Sequence, residues 1–295
     1  MNSLATSTAI SFKNILFLTD FSDASRSALV YALAFARHHN AKLFPAHVSS
    51  PVPVAYPEGG GVYNFAPETK EANLAKLQEL VQRNCNSFQP LVAEGEMEYA
   101  VQRWIEEHGI DLVVIGTHGR RGIQRFLMGS TAEAIFRTAT CPVLTVGPNV
   151  PINPSDESRI DKILFATDLT RESGYAVSYA LSFAHERRAH VTFLHVIPND
   201  MGHHLDHGRI VTFCQNELRR LVPEDAQLWC EPEFRVEEGD PAEQIIAVTE
   251  RELPDLIVLG LPRDKDFSTH FQTGVTYKVV TSAPCPVLTV REMLK

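Results

Sequence analysis

The 295-residue chain is 44% apolar and 21% charged with a formal net charge of −9, figures that allow two ordinary domains with full cores and exclude a fibrous or wholly disordered protein. No run of about 18 apolar residues occurs, which argues against a membrane span. The small polar stretch from Met1 to Ser11 does not read as a secretory signal, and five cysteines without paired spacing fit a reducing, cytoplasmic setting.

In chain order, short β-branched runs alternate with amphipathic segments. The first half reads as strands near 14–20, 42–48, 89–94, 111–116 and 141–146, with helices near 23–39, 68–85, 97–108 and 130–139. Apolar runs polar on neither face suit buried parallel strands. Regular β/α alternation then implies a doubly wound sheet with helices on both faces. In such sheets ligands sit outside the carboxyl ends of strands, at the switch point in strand order. Asp20, Val48 and Gly116 all fall at such ends. The loop from Pro51 to Pro67, with Gly59-Gly60-Gly61 and Tyr56, Tyr63 and Phe65, reads either as a mobile lid or as a plain surface insertion.

Between the strand Asp111-Leu-Val-Val-Ile115 and the helix that follows lies Gly116-Thr-His-Gly119, nine further residues, then Gly129-Ser130-Thr131. Glycines admit close backbone approach to an anion, and the first amides of a helix point unsatisfied donors at it. The loop also carries His118, Arg120, Arg121 and Arg125 and no acidic residue. The competing reading is a turn and helix cap that need only small residues. Three glycines at this spacing (Gly116, Gly119 and Gly129), a hydroxyl pair and three arginines in one loop favour a nucleotide site. No lysine follows the last glycine, so this is not a Walker-type P-loop. Asp20 is the one obvious acid nearby, and without a positioned base or metal-holding carboxylate efficient hydrolysis is not expected.

The chain is then written a second time. Lys13-Asn-Ile-Leu-Phe-Leu-Thr-Asp20 returns as Asp161-Lys-Ile-Leu-Phe-Ala-Thr-Asp168, and His47-Val48 as His195-Val196, at an offset of 148. Asp111 to Gly116 returns as Asp255 to Gly260, and Cys141-Pro-Val-Leu-Thr-Val146 as Cys285-Pro-Val-Leu-Thr-Val290, at an offset of 144. The divisions are 1–148 and 160–295, joined by a Pro-, Asn- and Ser-rich connection from Gly147 to Arg159. The halves are not equal in charge. Up to Val150 there are 12 basic and 13 acidic residues, and beyond it 15 and 23. Neither is basic enough to suggest nucleic acid.

These residues together resemble the universal stress protein family, in a tandem arrangement covering nearly the whole chain. The pattern Gly-x2-Gly-x9-Gly-(Ser/Thr) of its nucleotide-binding members is matched by Gly116, Gly119, Gly129 and Ser130. The strand-one aspartate is matched by Asp20 and the adenine-contacting valine by Val48. The resemblance implies two tandem doubly wound parallel-sheet domains. It also implies ATP or another adenine nucleotide, with or without magnesium. Asp20 and Val48 would then lie at the ribose and base, and Gly116, Gly119, Gly129, Ser130 and Thr131 at the phosphates. It further implies that the closing strands meet antiparallel, so the halves form a pseudo-symmetric pair within one chain, with a further homodimer of chains open. Thr19 departs from the proline many members carry there, a change expected to loosen the turn.

The second half departs further. Gly260 is kept, but Arg263 replaces the second glycine, ten residues rather than nine precede Gly274, and Val275 stands at the serine position. Arg263, Asp264, Lys265 and Asp266 sum to zero charge. A side chain and two carboxylates at that place should repel a triphosphate, so the nucleotide site is expected in half one alone. The expected role is a nucleotide-responsive stress regulator, with a slow ATPase or nucleotide-dependent transferase as the alternative. His203, His204, Asp206 and His207 form the one metal-like cluster read from the sequence, against a plain solvated helix start, and no metal is assigned there. His47 and His195 read as packed histidines.

Overall fold

A computed structural model describes residues 10–49, 69–117, 130–151, 160–199, 207–261 and 274–291. In half one, strands β1 (Asn14–Leu18), β2 (Lys42–Ser49), β3 (Leu91–Glu94), β4 (Leu112–Gly116) and β5 (Val143–Val146) alternate with helices α1 (Asp23–His39), α2 (Lys70–Val81), α3 (Met97–His108) and α4 (Ser130–Thr138). In half two, strands β6 (Lys162–Ala166), β7 (His190–Ile197), β8 (Glu231–Glu238), β9 (Leu256–Leu261) and β10 (Val287–Arg291) alternate with helices. These are α5 (Arg171–Gly174), α6 (Val177–Arg187), α7 (His207–Arg220), α8 (Pro241–Glu252) and α9 (Val275–Ser282). The elements read from periodicity are present in order, with differences of a few residues at their ends.

Local chemistry explains most of the boundaries. Ser22 caps α1 by accepting from the Ser25 amide, and Asn40 ends it in the left-handed conformation at φ 51°. Asp240 caps α8 in the same way, with Pro241 at the first helical position. Asp111 closes the amino end of β1 by accepting from the Lys13 and Asn14 amides at 2.7 and 3.0 Å. Asp255 repeats this on Asp161 and Lys162 at 2.8 and 2.9 Å.

The described strands form one sheet in the order β3-β2-β1-β4-β5-β10-β9-β6-β7-β8. Within each half every pair is parallel, so the predicted doubly wound topology is present twice. The seam between halves is the antiparallel pair of β5 with β10. Leu144 lies opposite Leu288, with Val143 facing Thr289 and Thr145 facing Val287. These are equivalent residues in the two copies, so a pseudo-two-fold axis passes through the Leu144–Leu288 pair. Each half leaves its last strand as an edge, and the other half covers it.

Side chains alternate between two apolar layers, each continuous across the seam. Leu16, Leu18, Val113 and Ile115 face the layer that also holds Trp104, Ile135, Ile245 and Val280. Ile15, Phe17, Leu112 and Val114 face the layer holding Ala32, Phe35, Ala180 and Phe183. In that second layer α1 and α6 meet across the axis, with the Phe35 and Phe183 rings 5.8 Å apart and edge-on. The connection after β5 is not a loose tether at its start. Val150 is buried, Asn149 Nδ2 donates to the Ser282 carbonyl at 3.0 Å, and a Cβ on Gly147 would meet the Val280 carbonyl oxygen at 2.9 Å. At its start the connection therefore touches half two through Gly147 and Asn149.

Candidate functional site

In half one the strand order 3-2-1-4-5 reverses direction between β1 and β4, which makes their carboxyl ends the switch point. Asp20 follows β1, Val48 lies near the end of β2 and Gly116 ends β4, so parallel pairing brings all three to one edge of the sheet. Helix α4 starts at Ser130 and Thr131, placing its amino-terminal amides after the loop that leaves β4. Gly119 and Gly129 lie outside the described residues, as do His118, Arg120, Arg121, Arg125 and the loop from Pro51 to Pro67.

The turn carrying Asp20 is tightly built. Asp20 Oδ1 accepts from the Ser22 amide at 3.0 Å, and Thr19 Oγ1 accepts from the Phe21 amide at 2.9 Å. Thr19 Oγ1 also lies 2.8 Å from Ser25 Oγ, and Thr19 is buried. The expected loosening by Thr19 is therefore overturned: its hydroxyl supplies bonds a proline could not make. Phe21 takes a left-handed φ of 62°, strained for a non-glycine residue, and its ring lies 4.8 Å from that of His47. His47 Nδ1 lies 2.8 Å from the Thr19 carbonyl oxygen, so this histidine braces the turn.

Half two repeats the frame. Leu169 has φ 63°, Thr167 Oγ1 accepts from its amide at 3.0 Å, and His195 Nδ1 lies 2.9 Å from the Thr167 carbonyl oxygen. Burial alone would raise the Asp168 carboxyl. Hydrogen bonds from the Thr170 hydroxyl and amide, at 2.6 and 3.0 Å, overcome this and hold it below the usual carboxylate range.

Two features separate the clefts. His47, Val48 and Ser49 are half-buried at the end of β2, whereas His195, Val196 and Ile197 are buried at the end of β7. This is not a difference in pairing at the cleft: β8 runs beside β7 for eight positions and β3 beside β2 for four, but the four run from Ala46–Leu91 to Ser49–Glu94, so both second strands are paired to their carboxyl ends. The second feature is the helix start. Helix α9 begins after Gly274, which gives no side-chain cap, and Val275 occupies the position of Ser130.

Gly260 has a packing reason of its own. A Cβ there would lie 2.3 Å from Ser173 Cα and 2.8 Å from the Ser173 carbonyl oxygen, so only glycine lets α5 sit against β9. Retention of this glycine therefore says nothing about phosphate in half two. Other expectations resolve simply. Cys141 and Cys285 are buried, with thiols pushed up to about 12 by burial, and so behave as inert apolar side chains. His207 Nε2 pairs with Glu238 at 2.9 Å, and His203, His204 and Asp206 lie outside the described residues.

One group escaped the sequence reading. His38, His39 and Glu186 converge where the carboxyl ends of α1 and α6 meet, with Arg187 beside them. The signal was present in the repeat: His38-His39 aligns with Glu186-Arg187 at the offset of 148, and complementary side chains at equivalent positions meet across a two-fold axis. A second unpredicted link is Arg291 at the end of β10, whose guanidinium donates to the Phe136 carbonyl of α4 at 2.9 Å.

The fold and its paired switch points define a tandem doubly wound α/β protein. The universal stress protein family model matches residues 11–147 and again 159–291, and the chain belongs to that family. A universal stress protein of Methanocaldococcus jannaschii is 30% identical over 139 residues, covering 46% of this chain and 82% of that protein. One from Mycolicibacterium smegmatis is 27% identical over 292 residues, covering 94% and 96%. The crystal structure of a universal stress protein from Archaeoglobus fulgidus covers 96% of this chain and 98% of its own, with a TM-score of 0.71 at 17% identity, a likeness of fold. No described helix is long and apolar enough to cross a membrane.

Proposed function

We propose that the chain is an adenine-nucleotide-responsive regulator of the stress response with its ligand site in half one. Asp20 and Val48 would receive the ribose and base, and Gly116, Gly119, Gly129, Ser130 and Thr131 the phosphates. ATP, with or without magnesium, is the nucleotide the arginine-bearing loop favours, because its charge matches a polyphosphate. The carrying observation is the inequality of two otherwise repeated clefts. The half with the intact glycine spacing is also the half whose second strand ends half-exposed, where a base needs room. The regulatory reading is preferred to an ATPase or transferase because the one acid read at the site, Asp20, has its Oδ1 engaged by the Ser22 amide within the turn, and the sequence offers no second candidate base. Binding energy without a positioned base changes shape or partner choice, not bonds. The setting is proposed as cytoplasmic, and a homodimer of chains remains part of the proposal.

Calorimetric titration of the full chain with ATP should give a stoichiometry near one. Mass spectrometry of nucleotide released on heating should identify an adenine nucleotide. Two equivalent sites per chain, or no adenine nucleotide binding, would overturn the assignment. Phosphate release with magnesium at about 10 per second, an ordinary enzyme's rate, and abolished by Asp20→Asn, would instead establish the enzyme reading.

A further inference from the structure

On the helical layer where α1 and α6 cross the pseudo-two-fold axis, one ring nitrogen each from His38 and His39 and a carboxylate oxygen of Glu186 lie within 4.8 Å of one another. The two histidines come from half one and the glutamate from half two. All three line one cleft together with Phe35, Phe183 and Arg187.

A plain ion-pair clamp accounts for part of this group. Glu186 Oε2 lies 2.7 Å from His38 Nε2, and Arg187 donates to His38 Nδ1 at 3.0 Å. Arginine can only donate, so Nδ1 is an acceptor, the ring is neutral, and Nε2 holds the proton given to Glu186. The clamp leaves His39 unexplained. That ring lies 4.7 Å from His38 and against Phe12, Phe35 and Phe183 at 5.0, 6.0 and 6.3 Å. Its Nε2 is buried and has no hydrogen-bond partner. A polar ring set in an aromatic cage without a partner is an unusual use of a histidine, and a neutral imidazole beside a second imidazole and a carboxylate is a ligand set.

We infer that His38, His39 and Glu186 form a binding site for a divalent transition metal of the zinc class that clasps the two halves together. Two imidazoles and one carboxylate suit zinc, cobalt or nickel far better than magnesium or calcium, and three protein ligands leave a fourth position for water. The cation takes the place of the proton between His38 and Glu186. The His38 ring stays neutral by losing the proton at Nε2 and gaining one at Nδ1 from solvent, which turns Arg187 away from Nδ1. Arg187 is therefore a competitor of the metal, through both its hydrogen bond and its charge.

Cobalt(II) alone, titrated into the full chain, reports the site by the visible absorption of a nitrogen- and oxygen-ligated ion, with zinc displacing it. Saturation at one ion per chain is expected, with a zinc-dependent rise in melting temperature. His39→Ala and Glu186→Gln should each weaken binding by at least about 10-fold and remove the thermal shift. Arg187→Ala, which deletes no ligand, should tighten binding. His203→Ala with His207→Ala should leave it unchanged. Absence of a cobalt spectrum in the wild-type chain overturns the inference. So does binding that survives Glu186→Gln and His39→Ala but is lost in the His203 and His207 variant. Circular dichroism showing folded variants keeps a loss of binding attributable to the ligands.

Discussion

The two clefts share a turn and differ at the end of the second strand and at the start of the last helix. Asp20 and Asp168, Thr19 and Thr167, Phe21 and Leu169, and His47 and His195 occupy the same places and make the same bonds. A strained left-handed residue after the first strand is thus a requirement of this turn, not a mark of ligand binding. What differs is the exposure of the second strand's end and the chemistry at the start of the last helix. Half two pairs β7 with β8 over eight positions and covers its edge with charge. Arg235 pairs with Glu252 at 3.0 Å and with Glu233, while Arg251 reaches Glu237 at 3.0 Å. A repeat freed from one ligand can lose the glycines a ligand needs, but it keeps those that packing needs, and Gly260 is of the second kind.

The largest expected effect tests the seam that joins the clefts. Val143→Lys places an ammonium in a buried position facing Thr289 and should cost on the order of 3–5 kcal/mol. A melting temperature within a degree of wild type would show that the seam does not hold the halves together.

Gly129→Val comes next and acts on half one alone. A side chain where the backbone must approach a phosphate should weaken ATP binding on the order of 100-fold, about 3 kcal/mol, with little change in melting temperature. Wild-type affinity measured by calorimetry would remove the phosphate cradle.

Gly260→Ala is the matching change in half two. Its Cβ would overlap Ser173, so stability should fall by about 1–3 kcal/mol in chemical denaturation while nucleotide affinity stays unchanged. Equal loss of nucleotide binding would mean that half two takes part in the site.

Ser130→Ala removes one hydroxyl and should cost about 0.5–1.5 kcal/mol of nucleotide binding, several-fold less than Gly129→Val in affinity. The reverse order of these two effects would mean that the hydroxyl, not backbone approach, governs the site.

A separate effect, read on stability rather than on nucleotide binding, is a pH dependence where α1 meets α6. Burial first, with the neighbouring His38 also contributing, lowers the His39 pKa from 6.5 to about 4. The unfolded chain therefore binds a proton that the folded chain refuses across that window. Stability contributed by the neutral ring is full above 6.5 and falls as pH drops toward 4. Denaturation midpoints measured between pH 7 and 4 should decline less in His39→Asn than in wild type, and identical slopes would count against a buried neutral His39.

How much of this was legible in the sequence depended on the range of the cause. Helix α1 read as 23–39 and appears as Asp23–His39, because its apolar period, its Ser22 cap and its Asn40 stop are local. The β/α alternation and the repeat likewise gave the fold class and the order of elements, while the antiparallel meeting of Cys141–Val146 with Cys285–Val290 was implied by the family resemblance. The placing of Asp20, Val48 and Gly116 on one edge followed from alternation and topology alone. The Thr19 turn was misjudged because its partner, the Ser25 hydroxyl, is held in place only when α1 docks on the sheet. Val48 and Val196 are the same residue in the same strand position, yet one end is half-exposed and the other buried. Both valines are paired with a neighbouring strand, Val48 with Ala93 and Val196 with Glu237, so the difference is set by what packs over the strand end, which neither valine encodes. Gly260 reads as a phosphate glycine until Ser173 is seen 2.3 Å from its missing Cβ. The His38, His39 and Glu186 group joins residues 148 apart, and only the pseudo-two-fold crossing of α1 and α6 brings them within reach. Short-range periodicity and caps act through bonds between near neighbours and are written in the chain. Exposure, close approach and cross-axis contacts depend on where distant elements come to rest, and packing alone decides them.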